Sequence, residues 1–136
     1  MASPVVFRGA VLFAHDFVRL GAFYHDLLGW SLTEQGEDHL RLEFEDHELV
    51  VHQAFGIEET ASGGERVESA LKMVFVSRDD DVLSRIEKLG GSVLRDRAFV
   101  DRGFTHLDAV DLEGNIFQLS FNNARVRRRV RRVGAR

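Results

Sequence analysis

Residues 15–32, HDFVRLGAFYHDLLGWSL, change their periodicity twice, and the fold follows from where they do so. Before His15 the chain is apolar and β-prone from Val5 to Ala14. Asp16 then supplies the short side-chain oxygen suited to capping a helix N-terminus. Phe17, Leu20, Tyr24, Leu27 and Leu28 recur at helical spacing, and Gly29 offers the left-handed residue that ends a helix. The pattern predicts a helix over 17–28. Trp30-Ser31-Leu32 opens a strand, and a turn at Gln35-Gly36-Glu37-Asp38 leads into Leu40, Leu42 and Phe44 alternating with Arg41 and Glu43, the signature of a half-buried strand. After a turn at Glu45–Glu48, a further strand runs from Leu49 to Ala54.

The same order then returns. Gly56 to Glu68, rich in Gly, Glu, Ser and Thr, reads as a linker. Leu71–Val76 is a predicted strand, and 79–89 carries Val82, Leu83, Ile86 and Leu89 on one helical face before Gly90-Gly91. Strands follow at Ser92–Leu94, Thr105–Val110 and Ile116–Phe121, the last two joined by the turn Asp111-Leu112-Glu113-Gly114-Asn115. The repeat is visible in the letters too: Leu28-Gly29-Trp30-Ser31-Leu32 answers Leu89-Gly90-Gly91-Ser92-Val93. An α+β domain over 1–124 is expected, built of two strand-helix-three-strand modules at about 5–55 and 69–123. Each sheet buries one face under its helix, leaving the other free to line a concavity with its mate.

Composition narrows what such a domain does. No cysteine is present, which excludes disulfides, thiolate metal sites and a cysteine nucleophile, and a cytoplasmic setting is expected. No stretch approaches the roughly 18 apolar residues needed to span a bilayer, so no membrane partner is expected. Seven of the 18 basic residues lie in the tail from Arg125 to Arg136, which holds no acid. The rest sets 11 basic residues against 22 acidic ones, a balance of −11. A body that acidic repels phosphate backbones, so no nucleic-acid partner is expected, and the tail reads as a solvated terminus. No glycine-rich loop precedes a helix as a phosphate site requires, and no serine sits on a strained nucleophile turn.

Asp16 followed by Phe23-Tyr24-His25-Asp26-Leu27-Leu28-Gly29-Trp30, and the closing Asp111-Leu112-Glu113-Gly114-Asn115-Ile116-Phe117-Gln118-Leu119, resemble motifs of the vicinal oxygen chelate superfamily: glyoxalase I, extradiol dioxygenases, fosfomycin-resistance enzymes and bleomycin-resistance proteins. The resemblance covers about Phe7 to Asn122, with Leu112 where the family usually has proline. It implies paired βαβββ modules with curved mixed sheets enclosing a pocket, and often homodimers. It leaves function open, because the fold hosts isomerases, lyases, dioxygenases and non-catalytic drug-binding proteins. It also places the family's metal ligands on Gly9, His52, Leu71 and Gln118. Glycine and leucine cannot bind metal, so no metal cofactor is expected; a divalent cation, if present, would have only His52 and Gln118.

Strand alternation gives a separate reading of the pocket. If the turn at Asp46-His47 has two residues, Arg41, Glu43, Val50 and His52 share the face away from the helix, whereas a one-residue change would reverse a strand. Pairing Asp111 with Asn115 places Asp108 opposite Gln118 and His106 opposite Ser120. Val11, Phe13, Met73 and Phe75 share parity with the vacated ligand positions and form an apolar floor. The ligand-binding set is therefore Arg41, Glu43, His52, His106, Asp108 and Gln118, with Phe13 and Phe75; His15, His25, His39 and His47 read as structural or exposed. A small-molecule-binding protein without metal is the expected function. The alternative is a metal-dependent lyase, isomerase or dioxygenase using His52 and Gln118. The letters name neither the ligand nor any catalytic residue.

Overall fold

The computed structural model describes residues 5–54, 70–79 and 81–122. The expected linker at Gly56–Glu68 and the basic tail lie outside the described residues. The elements run β1 (Gly9–Ala14), α1 (Phe17–Leu28), β2 (Ser31–Gln35), β3 (His39–Phe44), β4 (His47–Gln53), β5 (Met73–Ser77), α2 (Val82–Lys88), β6 (Ser92–Asp101), β7 (Phe104–Val110) and β8 (Ile116–Asn122). The first five form one compact unit and the last five another. Each unit holds a curved, open, four-stranded mixed sheet, in the orders β1-β4-β3-β2 and β5-β8-β7-β6. The first and last strands of each unit pair in parallel, and the others are antiparallel.

In the first unit, α1 has the bounds its sequence predicts. Asp16 accepts a hydrogen bond from the Arg19 backbone N–H at 3.2 Å, and Gly29 closes the helix at φ 70°. Leu20, Phe23, Tyr24 and Leu27 are buried against the sheet face carrying Leu40, Leu42, Leu49 and Val51. Gly21 lets the helix approach closely there, since a Cβ on it would lie 2.2 Å from the end of the Leu40 side chain and force that side chain to shift.

The hairpin differs from its sequence reading in register. Phe44 pairs with His47, so the two-residue turn is Glu45–Asp46, with Glu45 at φ 53°. A turn at Asp46-His47 would shift the pairing by two residues. A shift of two leaves every side chain on the same face. Arg41, Glu43, Val50 and His52 therefore do point away from α1, but His52 lies across from His39 instead of Arg41.

In the second unit, Val82 and Ile86 of α2 are buried, as are Leu107, Ala109, Phe117 and Leu119 of the sheet. The Asp111 turn is held by its own carboxylate, which accepts from Glu113 N (2.8 Å), Asn115 N (3.0 Å) and Asn115 Nδ2 (2.9 Å). Its closure sets Asp108 opposite Gln118 and His106 opposite Ser120, as alternation predicts. Two features depart from expectation. β6 continues to Asp101 past a register shift between Leu94 and Phe99. On β5, Met73 pairs with Phe117 and Phe75 with Leu119, so both belong to the helix-covered face. Phe75 packs edge-on against buried Phe117 at 6.0 Å. Its assignment to the pocket floor is corrected: Val74 and Val76, beside Gln118 and Ser120, occupy the helix-free face. The error came from counting parity from Leu71, which precedes the strand.

Candidate functional site

The helix-free face of the first sheet carries Val11 and Phe13 of β1, Val50 and His52 of β4, and His39, Arg41 and Glu43 of β3. Phe13 meets the His52 ring edge-on at 5.9 Å. Arg41 donates from Nη1 to Glu48, whose carboxylate also lies 3.5 Å from Arg8 Nε. The hydrogen bond to Glu48 raises the Arg41 pKa, with the nearby charges of Glu48, Glu34 and Glu43 adding to it. Glu43 faces Glu48 across the hairpin. Arg41 is thus a held cation in an acidic setting.

At the far end of the same face, four residues from three strands and one turn converge. His39 donates from Nδ1 to Asp38 Oδ1 at 2.8 Å, and its Nε2 contacts Glu34 Oε1. His52 lies parallel to His39, with ring centroids 5.9 Å apart and planes 12° from each other. Its Nε2 is 3.6 Å from Asp38 Oδ2, and its Nδ1 donates to the Gln53 carbonyl at 2.7 Å. Two carboxylates on opposite nitrogens favour the His39 imidazolium. Its pKa is raised, first by Asp38 and then by Glu34, while the bond to His39 lowers both carboxyls.

These directions fix the sign of a pH dependence. The raised His39 contributes stability fully below its unfolded value near 6.5, a contribution lost as pH rises through the folded value. The lowered Glu34 and Asp38 contribute above their unfolded values near 4.5 and 3.8, and lose that as pH falls through the folded ones. In buffer containing chelator, the melting-temperature advantage of the wild type over His39→Gln should therefore be greatest between about pH 4.5 and 6.5. An advantage that does not vary with pH would show that the cluster is not coupled to folding.

On the helix-free face of the second sheet, Gln118 Nε2 donates to His106 Nδ1 at 2.9 Å, and Ser120 Oγ lies 2.7 Å from the same nitrogen. The Gln118 amide and the Ser120 hydroxyl thus both engage Nδ1 of the ring. The Phe99 ring lies 4.8 Å from that of His106, and the Phe104 ring 6.3 Å. Asp108, beside Gln118, is held by Lys72 Nζ at 3.0 Å. The arrangement presents an imidazole among aromatic faces, backed by a buried amide and hydroxyl.

The positions that the resemblance implied for metal ligands are not equivalent in the structure. Gly9 pairs with Glu48, and it is Phe13 that lies beside His52. A Cβ at Gly9 would sit 1.8 Å from the Glu48 carbonyl oxygen, so the position admits no side chain. In the second sheet Gln118 is beside Val74, another residue without a donor, and Leu71 lies outside β5. His52 and Gln118 belong to separate units. Sequence reasoning missed Glu34, Asp38, His39, Glu48, Lys72 and Phe99. The signal for His39 was available only through the exact turn, since His39 and His52 become neighbours only when the hairpin closes at Glu45–Asp46.

No protein-family model matches the sequence, and no curated protein matches it. Solved structures do. A glyoxalase-related enzyme from Fulvimarina pelagi superposes with a TM-score of 0.64 at 16% identity, over 86% of this chain and 88% of that one. Lactoylglutathione lyase from Agrobacterium tumefaciens gives 0.62 at 16% identity, over 90% and 98%. A glyoxalase/bleomycin resistance protein/dioxygenase family enzyme from Burkholderia phytofirmans gives 0.60 at 12% identity, over 84% and 96%. The two sheet-and-helix modules of this chain are thus the fold of glyoxalase-related and bleomycin-resistance-type proteins.

Proposed function

We propose that this protein binds a small organic molecule on the helix-free face of its second sheet, and that the ligand's site contains no metal. The observation that carries the reading is the His106–Gln118–Ser120 network with Phe99 against it. Aromatic surface with a few converging polar groups is the usual composition of a small-molecule site. The His106 Nε2–H is the donor, Gln118 holds the ring's tautomer, and Asp108 sets local charge. A planar molecule bearing an acceptor oxygen suits this chemistry. Against a metal-dependent lyase, isomerase or dioxygenase stands Gly9, where a donor side chain has no room. A cytoplasmic homodimer is part of the proposal, on the absence of cysteine and the resemblance in sequence.

A thermal-shift screen of planar oxygen-bearing compounds tests it. A ligand at 100 times its Kd should add about 2.7 kcal/mol of stability. Gln118→Ala and His106→Ala should each weaken the same compound by about 1 to 3 kcal/mol, the cost of leaving a buried polar partner unpaired. A screen without hits, or hits that bind both variants unchanged, would reject the reading.

A further inference from the structure

The convergence of Asp38, His39 and His52 has a property that an ordinary ion-pair cluster lacks: each imidazole has one nitrogen occupied on the side away from Asp38. His52 gives its Nδ1–H to the Gln53 carbonyl, which can only accept, and turns Nε2 toward Asp38. His39 presents Nε2 to Glu34 and Nδ1 to Asp38. One oxygen or nitrogen from each of Asp38, His39 and His52 lies within 4.8 Å of the others. Donors about 2.0–2.2 Å from a tetrahedral zinc-class ion stand about 3.3–3.6 Å apart, so modest side-chain rotations would close the set around one.

We propose that Asp38, His39 and His52 form a binding site for a divalent transition cation of the zinc class, with Glu34 and the Gln53 carbonyl as the outer groups that orient the two imidazoles. The ligand atoms are one Asp38 carboxylate oxygen, His39 Nδ1 and His52 Nε2. Metal-bound histidines almost always donate their second ring N–H to a carboxylate or carbonyl, which fixes the tautomer and strengthens the ligand. Both histidines already have such a partner. When the cation enters, the Nδ1 proton of His39 leaves to solvent, while Nε2–H continues to donate to Glu34.

The backbone builds this constellation directly. His39 and His52 are cross-strand partners at the open end of the β3–β4 hairpin, and Asp38 immediately precedes β3. Gln53 also accepts from Phe17 N through its side chain and donates to the His15 carbonyl, which ties the end of β4 to the start of α1. Three protein donors leave coordination positions for water, and both imidazoles remain partly exposed, so an ion has a route in. Two imidazoles and one carboxylate suit zinc, nickel or cobalt better than magnesium or calcium, which favour all-oxygen sets. The site lies wholly within the first unit, whereas the His106–Gln118 network proposed for the organic ligand belongs to the second.

The test uses the full chain without an affinity tag, stripped by chelator and desalted, and titrated with Zn²⁺ by calorimetry and with Co²⁺ by visible absorption. Wild type should saturate at one ion per chain, and Mg²⁺ should not compete. His39→Ala, His52→Ala and Asp38→Asn should each weaken Zn²⁺ binding by at least tenfold, whereas His25→Ala should leave it unchanged. Glu34→Gln keeps an acceptor but loses the charge, and should weaken binding by about tenfold or more, the usual cost of altering an outer partner. Circular dichroism identifies any variant that does not fold, and Asp38→Asn, on an exposed turn, keeps the test decisive if a histidine variant fails. Absence of Zn²⁺ binding by the wild type, or binding that survives in folded His52→Ala and Asp38→Asn, overturns the proposal.

Discussion

Leu42→Ala should lower stability by about 2 to 5 kcal/mol, the usual cost of truncating a buried leucine whose site cannot collapse. Leu42 is 0% exposed, pairs with Leu49 across the hairpin, and lies on the sheet face that receives α1. His52→Ala, on the same hairpin but the opposite face, should cost far less, because its side chain is 38% exposed and packs against no helix. Chemical denaturation of the two variants beside wild type measures both. If His52→Ala proves the more damaging, the faces of the first sheet are inverted, and the polar sets built on them fail together.

Gly9→His, the substitution that would restore a donor at the position the resemblance marks for a metal ligand, should instead disrupt the β1–β4 pairing. Ordinary overpacking costs about 1 to 3 kcal/mol, because side chains shift to make room. At Gly9 the obstacle is the Glu48 backbone carbonyl, 1.8 Å from where the Cβ would stand, and it cannot rotate away. The loss should therefore exceed that range, and Gly9→Ala should already show most of it. Unfolding curves for both variants are the measurement. A Gly9→His protein as stable as wild type would show that β1 can move aside, and would reopen the position to metal chemistry.

Much of the fold was legible in the letters because it rests on signals that tertiary context reinforces. The bounds of α1 followed from Asp16, the spacing of Leu20, Tyr24 and Leu27, and Gly29, each of which acts locally. The β7–β8 register followed from a turn whose Asp111 carboxylate closes it from within. The first hairpin was harder. Its turn, Glu45–Asp46, has no glycine or asparagine, so nothing in the sequence favoured it over Asp46–His47, and a non-glycine residue takes φ 53° there. Alternation has a period of two and cannot detect a slip of two, so the faces were right while the neighbour of His52 was not. Phe75 was misplaced for a related reason: the parity of a short apolar strand depends on where counting starts. The outer half of β6, Arg95 to Asp101, is exposed throughout and carries no alternation by which a strand would be recognised.

The parallel pairing of first strand with last brings loop-closure entropy into each unit. In the first, Gly9 meets Glu48, 39 positions along the chain; in the second, Met73 meets Phe117, 44 positions on. Closure entropy grows only with the logarithm of length, about 0.6 kcal/mol per doubling, so the two units incur nearly the same cost. Every residue added to a β2–β3 or β6–β7 connection lengthens that closed loop by a small fraction. Insertions at the hairpin tips are therefore thermodynamically cheap, while the strand registers that set the polar faces stay fixed. A chain of this architecture can vary what surrounds its helix-free faces without disturbing the sheets that present them.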